Sequence, residues 1–362
     1  MLTRFKLLVS PLVLPLFAIA LSLVAGSLAI ILAGGDPLEV YRTMYHGAFG
    51  TNFFRLQTLT RATPIIITGL GAAIAWKSGY MGIGGEGQMI VGGFISAVVA
   101  LHFPGPPMFR IFMAVVLALA FGSAYSLIGA WLLDKFKVSL AIATLMLNFI
   151  AQFVTMHYVS NMFQDRTGGD IRIIHTEQLP VYMRLPRFDP THSLHYGFLI
   201  ALVLVFLVWF LMNRTNFGYE ARMTGFNMKF ADYGGVSSKK IMYTILGLSG
   251  AICALAGISE VFGLQYRYVH DSYVSASFAW LGLSAALISR FHPVGVLISS
   301  IILAGIQTGG SAVARSMDMP IEISAIVQGC IILFISAKIM IDWKHWKKYF
   351  NMKPAAQGGD AS

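Results

Sequence analysis

Apolar segments long enough to cross a bilayer recur from one end of this chain to the other, which restricts it to folds built in lipid. Of 362 residues, 56% are hydrophobic and 12% charged, a balance that excludes a soluble globular domain. The sequence predicts an all-α, polytopic integral membrane protein of about ten spans with short connections. They are Pro11–Ala33, Leu59–Ala75, Met89–Leu101, Phe109–Leu133, Leu140–Ser160, Tyr196–Met212, Ile241–Phe262, Ser275–Ile288, Val294–Gln307 and Ile321–Ile341. Met89–Leu101 and Val294–Gln307 are short, which predicts helices that stop or break inside the bilayer.

One stretch does not suit a lipid-facing helix. Met81-Gly82-Ile83-Gly84-Gly85-Glu86-Gly87-Gln88-Met89 places four glycines, a carboxylate and an amide between two apolar segments. Irregular, polar backbone at membrane depth persists only where protein buries it or where it lines a wet cavity. A carboxylate there is costly and marks a functional site by default. The competing reading is structural: Glu86 caps a broken helix by accepting backbone N–H bonds.

The basic residues set the orientation. Arg4 and Lys6 precede the first span, Lys135 and Lys137 follow the fourth, and Lys344, Lys347, Lys348 and Lys353 follow the last. The segment Asn213–Lys240 holds Arg214, Arg222, Lys229, Lys239 and Lys240 against Glu220 and Asp232. In the longer loop Asn161–His195, arginines are balanced by Asp165, Asp170, Glu177 and Asp189. The positive-inside rule therefore puts both termini and Asn213–Lys240 in the cytoplasm. The net charge of +10 is a topology signal and calls for no nucleic-acid partner. The first apolar run continues past Ser27-Leu28-Ala29, so it reads as a retained anchor, not a cleaved signal peptide. Three regions follow: 1–58, an anchor and first outer loop; 59–341, the transmembrane body; and 342–362, a basic tail.

Several chemistries drop out. There is no G-x-x-x-x-G-K-[ST], no H-E-x-x-H and no C-x-x-C. Cys253 and Cys330 both lie in predicted spans and read as small apolar side chains at helix interfaces. His175, His192 and His195 read as interfacial residues, not metal ligands. Gly247-Leu248-Ser249-Gly250 has the short pattern of an intramembrane serine protease, but the small-x-x-x-small pairs Gly247/Ala251 and Gly250/Ala254 favour helix packing.

The cytoplasmic segment is not a plain linker. It interleaves Phe217, Tyr219, Phe226, Phe230 and Tyr233 with basic residues and glycines, which predicts two short helices and a tight turn against the membrane. An apolar patch beside basic residues marks a protein partner; an interfacial helix touching headgroups is the alternative.

Four blocks in order carry a resemblance over most of the chain, roughly Leu59 to Ile341. They are Gly82-Ile83-Gly84-Gly85-Glu86-Gly87-Gln88-Met89, Ala143-Thr144-Leu145-Met146-Leu147-Asn148-Phe149-Ile150-Ala151, the run from Gly218 to Val236, and Ser249-Gly250-Ala251 through Glu260-Val261-Phe262-Gly263. The chain resembles the membrane permease subunits of ATP-binding-cassette importers of the ribose and branched-chain amino acid class, nearest the nucleoside and simple-sugar branch. It departs at Gly82, where that family usually has asparagine, so a polar contact at the path is absent.

The resemblance implies a multi-pass subunit of a bacterial cytoplasmic membrane that binds no cofactor and is not itself an enzyme. ATP and Mg would sit on a separate ATP-binding subunit. The other partners would be a second permease chain, a paralogue or a second copy, and an extracytoplasmic substrate-binding protein. It implies coupling through Glu220, Arg222, Gly225, Asn227, Gly234 and Gly235, with the glycines supplying turns and Arg222 and Asn227 polar contacts. Glu86, Gln88, Asn148 and Glu260 are the candidates for the translocation path. Amides suit uncharged, hydroxyl-rich solutes. An ion-coupled secondary transporter of a small polar solute is the alternative, and it would need no such cytoplasmic segment.

Overall fold

A computed structural model describes residues 24–317 except 29, 33, 167–172 and 190, together with 325, 326 and 329. The predicted basic tail lies outside the described residues, as do most of the predicted first and last spans. The described residues are helical, without strands, and three isolated bridges (Gln164 to Thr176, His175 to Val269, Arg187 to His195) tie one end together.

Among the described residues six helices are long and apolar enough to cross a bilayer: α3 (Asn52–Lys77), α5 (Pro107–Phe136), α6 (Leu140–Tyr158, with a π-turn to Phe163), α7 (Gly197–Arg214), α10 (Ser238–Glu260, with a π-turn to Gln265) and α13 (Pro293–Ser316). A seventh span counts if α1 (Val24–Leu32) and α2 (Pro37–Tyr45), bent by 112°, are taken as one. The protein is thus a multi-pass membrane protein. α4 (Gly85–His102) and the pair α11 (Ser272–Ser275) and α12 (Phe278–Ile288) are the broken elements. The boundary read at residue 58 falls inside α3, whose N-cap is Thr51.

Burial sorts the helices. In α3, 83% of the apolar window is buried, against 22% in α5, so α3 is central and α5 peripheral. Lipid tails are as apolar as leucine, so close backbone approach, not hydrophobic transfer, holds such helices together. α10 packs on α4 and α5, and α3 packs on α12 and α13, so each central helix carries one broken and one complete helix. Small residues make this fit: Gly92 lies on Ala254, and Gly257 on the Met89 carbonyl.

The span predicted over 294–307 is a correction. α13 runs 24 residues to Ser316. Thr308-Gly309-Gly310-Ser311 looks like a polar break in sequence, but it is buried, with Gly309 against the Met44 backbone and Ala312 against Gly47. The Gly247–Gly250 pattern also resolves to packing. Ser249 Oγ donates to the Gly71 carbonyl at 2.8 Å, and Gly250 abuts the Gly122 carbonyl.

At one end of the bundle, Lys239 Nζ pairs with Asp134 Oδ2 at 2.6 Å and Tyr80 Oη donates to the Ser238 carbonyl at 2.8 Å. Lys77, Lys135, Lys137, Arg222, Lys229 and Lys240 gather at this end through the same helix termini. At the other end, the segments 173–189 and 262–270 exchange backbone bonds such as Thr176 N to Tyr268 O at 3.0 Å.

Candidate translocation site and coupling surface

The glycine-rich stretch is the break between α3 and α4. Its backbone polar groups must be satisfied from other helices. Trp76 Nε1 of α3 donates to the Gly82 carbonyl at 2.8 Å. From α6, Thr144 Oγ1 accepts from Ile83 N at 2.8 Å, and Asn148, one turn on, works at both ends of its amide. Its Oδ1 accepts from Gly87 N at 2.9 Å, and its Nδ2 donates to the Ile83 carbonyl at 2.9 Å. The α4 N-cap, Gly84, has no side chain to satisfy the first-turn N–H groups, so Asn148 does so from a neighbouring helix.

This loop walls a narrow inner cleft shared with α3, α10 and α12. Glu86, in the first turn of α4, lines it and accepts from Trp280 Nε1 at 3.0 Å. Among the described residues the hydrogen-bond partner of the Glu86 carboxylate is the indole of α12, not the backbone N–H groups that the capping alternative would need. Gln88 also lines the cleft, buried, with no donor to its Oε1 among the described residues. Thr68, Ser126 and Ser249 add hydroxyls to the wall.

Glu260 stands elsewhere. It is 1% exposed at the end of α10 and lines a second cavity of about 500 Å³ with Arg61, Gln265, Gln307 and the α11–α12 break. This cavity is the outer one, because it lies toward the end of the bundle away from the Lys239–Asp134 pair. At that break Ser277 is left-handed, φ 54°, and the Ala276 carbonyl accepts from Gln307 Nε2 at 3.1 Å. The four predicted path residues thus divide: Glu86 and Gln88 face the inner cleft, Asn148 grips its loop, and Glu260 belongs to the outer cavity.

The segment between α7 and α10 forms two short helices, α8 (Asn216–Phe226) and α9 (Met228–Tyr233), followed by a turn with Gly235 at φ 83°. Tyr219, Phe226, Phe230 and Tyr233 are exposed, the last at 93%. Phe217 is a correction: it is half-buried against the core. Gly225 does not turn the chain. It lies within α8, so close to the Lys77 carbonyl that any side chain would clash. Gly234 closes α9 with an ordinary negative φ. Arg222 Nη1 donates to Asn213 Oδ1 at 3.4 Å, and Asn227 caps α9 by accepting from Phe230 N at 3.1 Å, so both make contacts inside the segment. Glu220 presents its carbonyl to Thr224 Oγ1 at 2.9 Å. Asp232 accepts from Ser238 N at 3.0 Å, which holds its carboxyl below the usual range.

Residues 54–336 match the family model described as the branched-chain amino acid transport system / permease component. The chain belongs to that permease family. The permease is 32% identical over 341 residues to the guanosine ABC transporter permease protein NupP of Bacillus subtilis, covering 92% of this chain and 95% of that one. It is 28% identical to the nucleoside ABC transporter permease protein NupB of Lactococcus lactis, covering 91% of each chain. It is also 28% identical to the glucose ABC transporter permease protein TsgB13 of Haloferax volcanii, covering 96% of this chain and 94% of that one. The expected nucleoside and simple-sugar branch is the one these relatives carry in their names.

Three residues of this permease's cavities went unmarked in sequence. Trp280 is one aromatic in an apolar run, and nothing local ties it to a carboxylate 194 positions away. Gln307 closed a span read as too short. Arg61 did carry a signal, a lone cation inside the predicted span Leu59–Ala75.

Proposed function

We propose that this permease is the membrane subunit of an ATP-driven importer for a nucleoside or a simple sugar in a bacterial cytoplasmic membrane. Its ATP-binding subunit is a separate chain that carries ATP and Mg. A second permease chain and an extracytoplasmic binding protein complete the complex. The relatives' transport of guanosine, nucleosides and glucose supports the substrate class.

The observation that carries the coupling reading is the α8–α9 elbow. Four exposed aromatics beside basic residues give an adhesive surface for a partner, which is where interface energy concentrates. Gly225 presses the elbow onto the Lys77 end of α3, the most buried helix, and the loop that follows α3 walls the inner cleft. A push on the elbow therefore reaches the cleft through one rigid helix. On this reading Glu220, Arg222, Gly225, Asn227, Gly234 and Gly235 shape the docking surface, and the elbow lies on the cytoplasmic side, as do both termini. Regions 1–58, 59–341 and 342–362 serve as anchor, transport body and tail.

The test is co-purification of the ATP-binding subunit with the tagged permease. Phe226→Ser with Tyr233→Ser is expected to abolish it while membrane levels of the permease hold. Undiminished co-purification would remove the elbow as the docking surface.

A further inference from the structure

The polar part of the outer cavity's wall is rich in hydrogen-bond acceptors, with Arg61 the charged donor beside them. Glu260 Oε1 is buried and, among the described residues, meets no donor. Gln307 Oε1 is in the same position, because Gln307 Nε2 is fixed on the Ala276 carbonyl at 3.1 Å. Ser272, Ser277 and Ser311 each direct their O–H to a backbone carbonyl, those of Val269, Val274 and Gln307, so they too have lone pairs left to offer. Buried acceptors without donors are costly and call for a ligand that brings its own.

Charge narrows the ligand further. Arg61 stands in the same wall, within electrostatic reach of both Glu260 and Arg315, so the two opposite charges of the wall largely offset each other and a further cation is disfavoured. Glu260 beside unpaired acceptors disfavours an anion. What remains is a neutral molecule rich in O–H donors. Phe278 and Leu281 give the cavity an apolar side suited to the flat face of a sugar or base. The helix break at Ala276–Ser277 lies in this wall, as discontinuous helices do at transporter sites.

We infer that the outer cavity is a solute site for a vicinal diol, either the ribose of a nucleoside or a free sugar, with Glu260 Oε1 and Gln307 Oε1 accepting from its hydroxyls. This rests on the importer reading above. It assigns Glu260 to entry on the outer side, apart from the cleft of Glu86 and Trp280.

The test uses the full complex in cells, with Ser275→Cys as a reporter in a Cys253→Ala, Cys330→Ala background. The rate of labelling by a membrane-impermeant thiol reagent is measured alone and with millimolar ribose, guanosine or 2′,3′-dideoxyguanosine. A site built around hydroxyl donors rejects the analogue that lacks them, so labelling should slow by about fivefold or more with guanosine or ribose and stay unchanged with the dideoxy compound. Which of the two protects identifies the source of the diol. Glu260→Leu and, separately, Gln307→Leu should abolish protection, and an unaltered labelling rate without solute shows that the cavity is intact in each. Equal rates under all conditions, equal protection by the dideoxy compound, or protection that survives both substitutions would overturn the proposal. ATP-dependent uptake in the same cells is scored separately, so its absence would count against the importer reading and not against the cavity.

Discussion

Replacing Asn148 with alanine tests whether this amide is a clamp or a contact for the solute. The change removes two bonds at once, Gly87 N to Oδ1 and Nδ2 to the Ile83 carbonyl, both at 2.9 Å. Gly87 is itself buried, and Asn148 is 5% exposed, so water has little access to either group left behind. Each lost bond is worth about 0.5–1.5 kcal/mol, and a stranded buried group costs about 1–3 kcal/mol, so the expected loss is about 2–4 kcal/mol. Thermal unfolding of the purified permease in detergent should show it as a fall of roughly 4–12 °C. Asn148→Asp keeps an acceptor for Gly87 N at a helix N-terminus and loses only the donor, so about half of the loss is expected. An Asn148→Ala protein that unfolds within about 1 °C of wild type but transports poorly would refute the clamp and assign the amide to the solute.

The remaining predictions concern separate parts of the molecule. Gly225→Val should force α8 off the Lys77 carbonyl and abolish ATP-driven uptake without removing the protein from the membrane; normal uptake would break the mechanical link. Trp280→Phe keeps the ring but deletes the donor to Glu86 Oε2, and a bond to a carboxylate of this kind predicts an uptake rate lowered about tenfold. Ser249→Ala should cost about 1 kcal/mol of stability through the lost bond to Gly71 and leave uptake intact; lost uptake with normal stability would reopen a chemical role for Ser249. His195 lies outside the spans. Its burial, with Arg187 nearby, lowers its pKa from 6.5 to about 4, and its Nδ1 accepts from Gly197 N at 3.1 Å. The unfolded chain binds the proton more readily, so this contribution is complete above pH 6.5 and is lost as pH falls toward about 4. The permease should therefore unfold at lower temperature at pH 5 than at pH 7, and His195→Gln should reduce that difference.

What the sequence made legible follows from which forces act locally. Hydropathy finds helices with long apolar windows, and it located α5 and α7 because both face outward along most of their length. It shortened α13 because small polar residues read alike whether they meet water or another backbone, and here they meet Met44 and Gly47. The glycine-rich stretch announced a break, and the break is there between α3 and α4. Its residue types did not announce their roles. An asparagine serves equally well as a clamp or a solute contact, and only the placement of α6 against the loop makes Asn148 a clamp. Glu86 and Glu260 are both carboxylates at membrane depth in the sequence, yet the fold gives one an indole partner and leaves an oxygen of the other unmatched among the described residues. Such differences arise between helices far apart in sequence, where no local pattern reports them.

Uptake tests the central claim most directly. Labelled guanosine, uridine, ribose and glucose would be offered to cells with and without this chain, before and after ATP depletion. Uptake of at least one of these is expected to require the chain and to stop when ATP is depleted. Uptake that survives ATP depletion and collapses with the proton gradient would contradict that claim, and would make this protein an ion-coupled carrier.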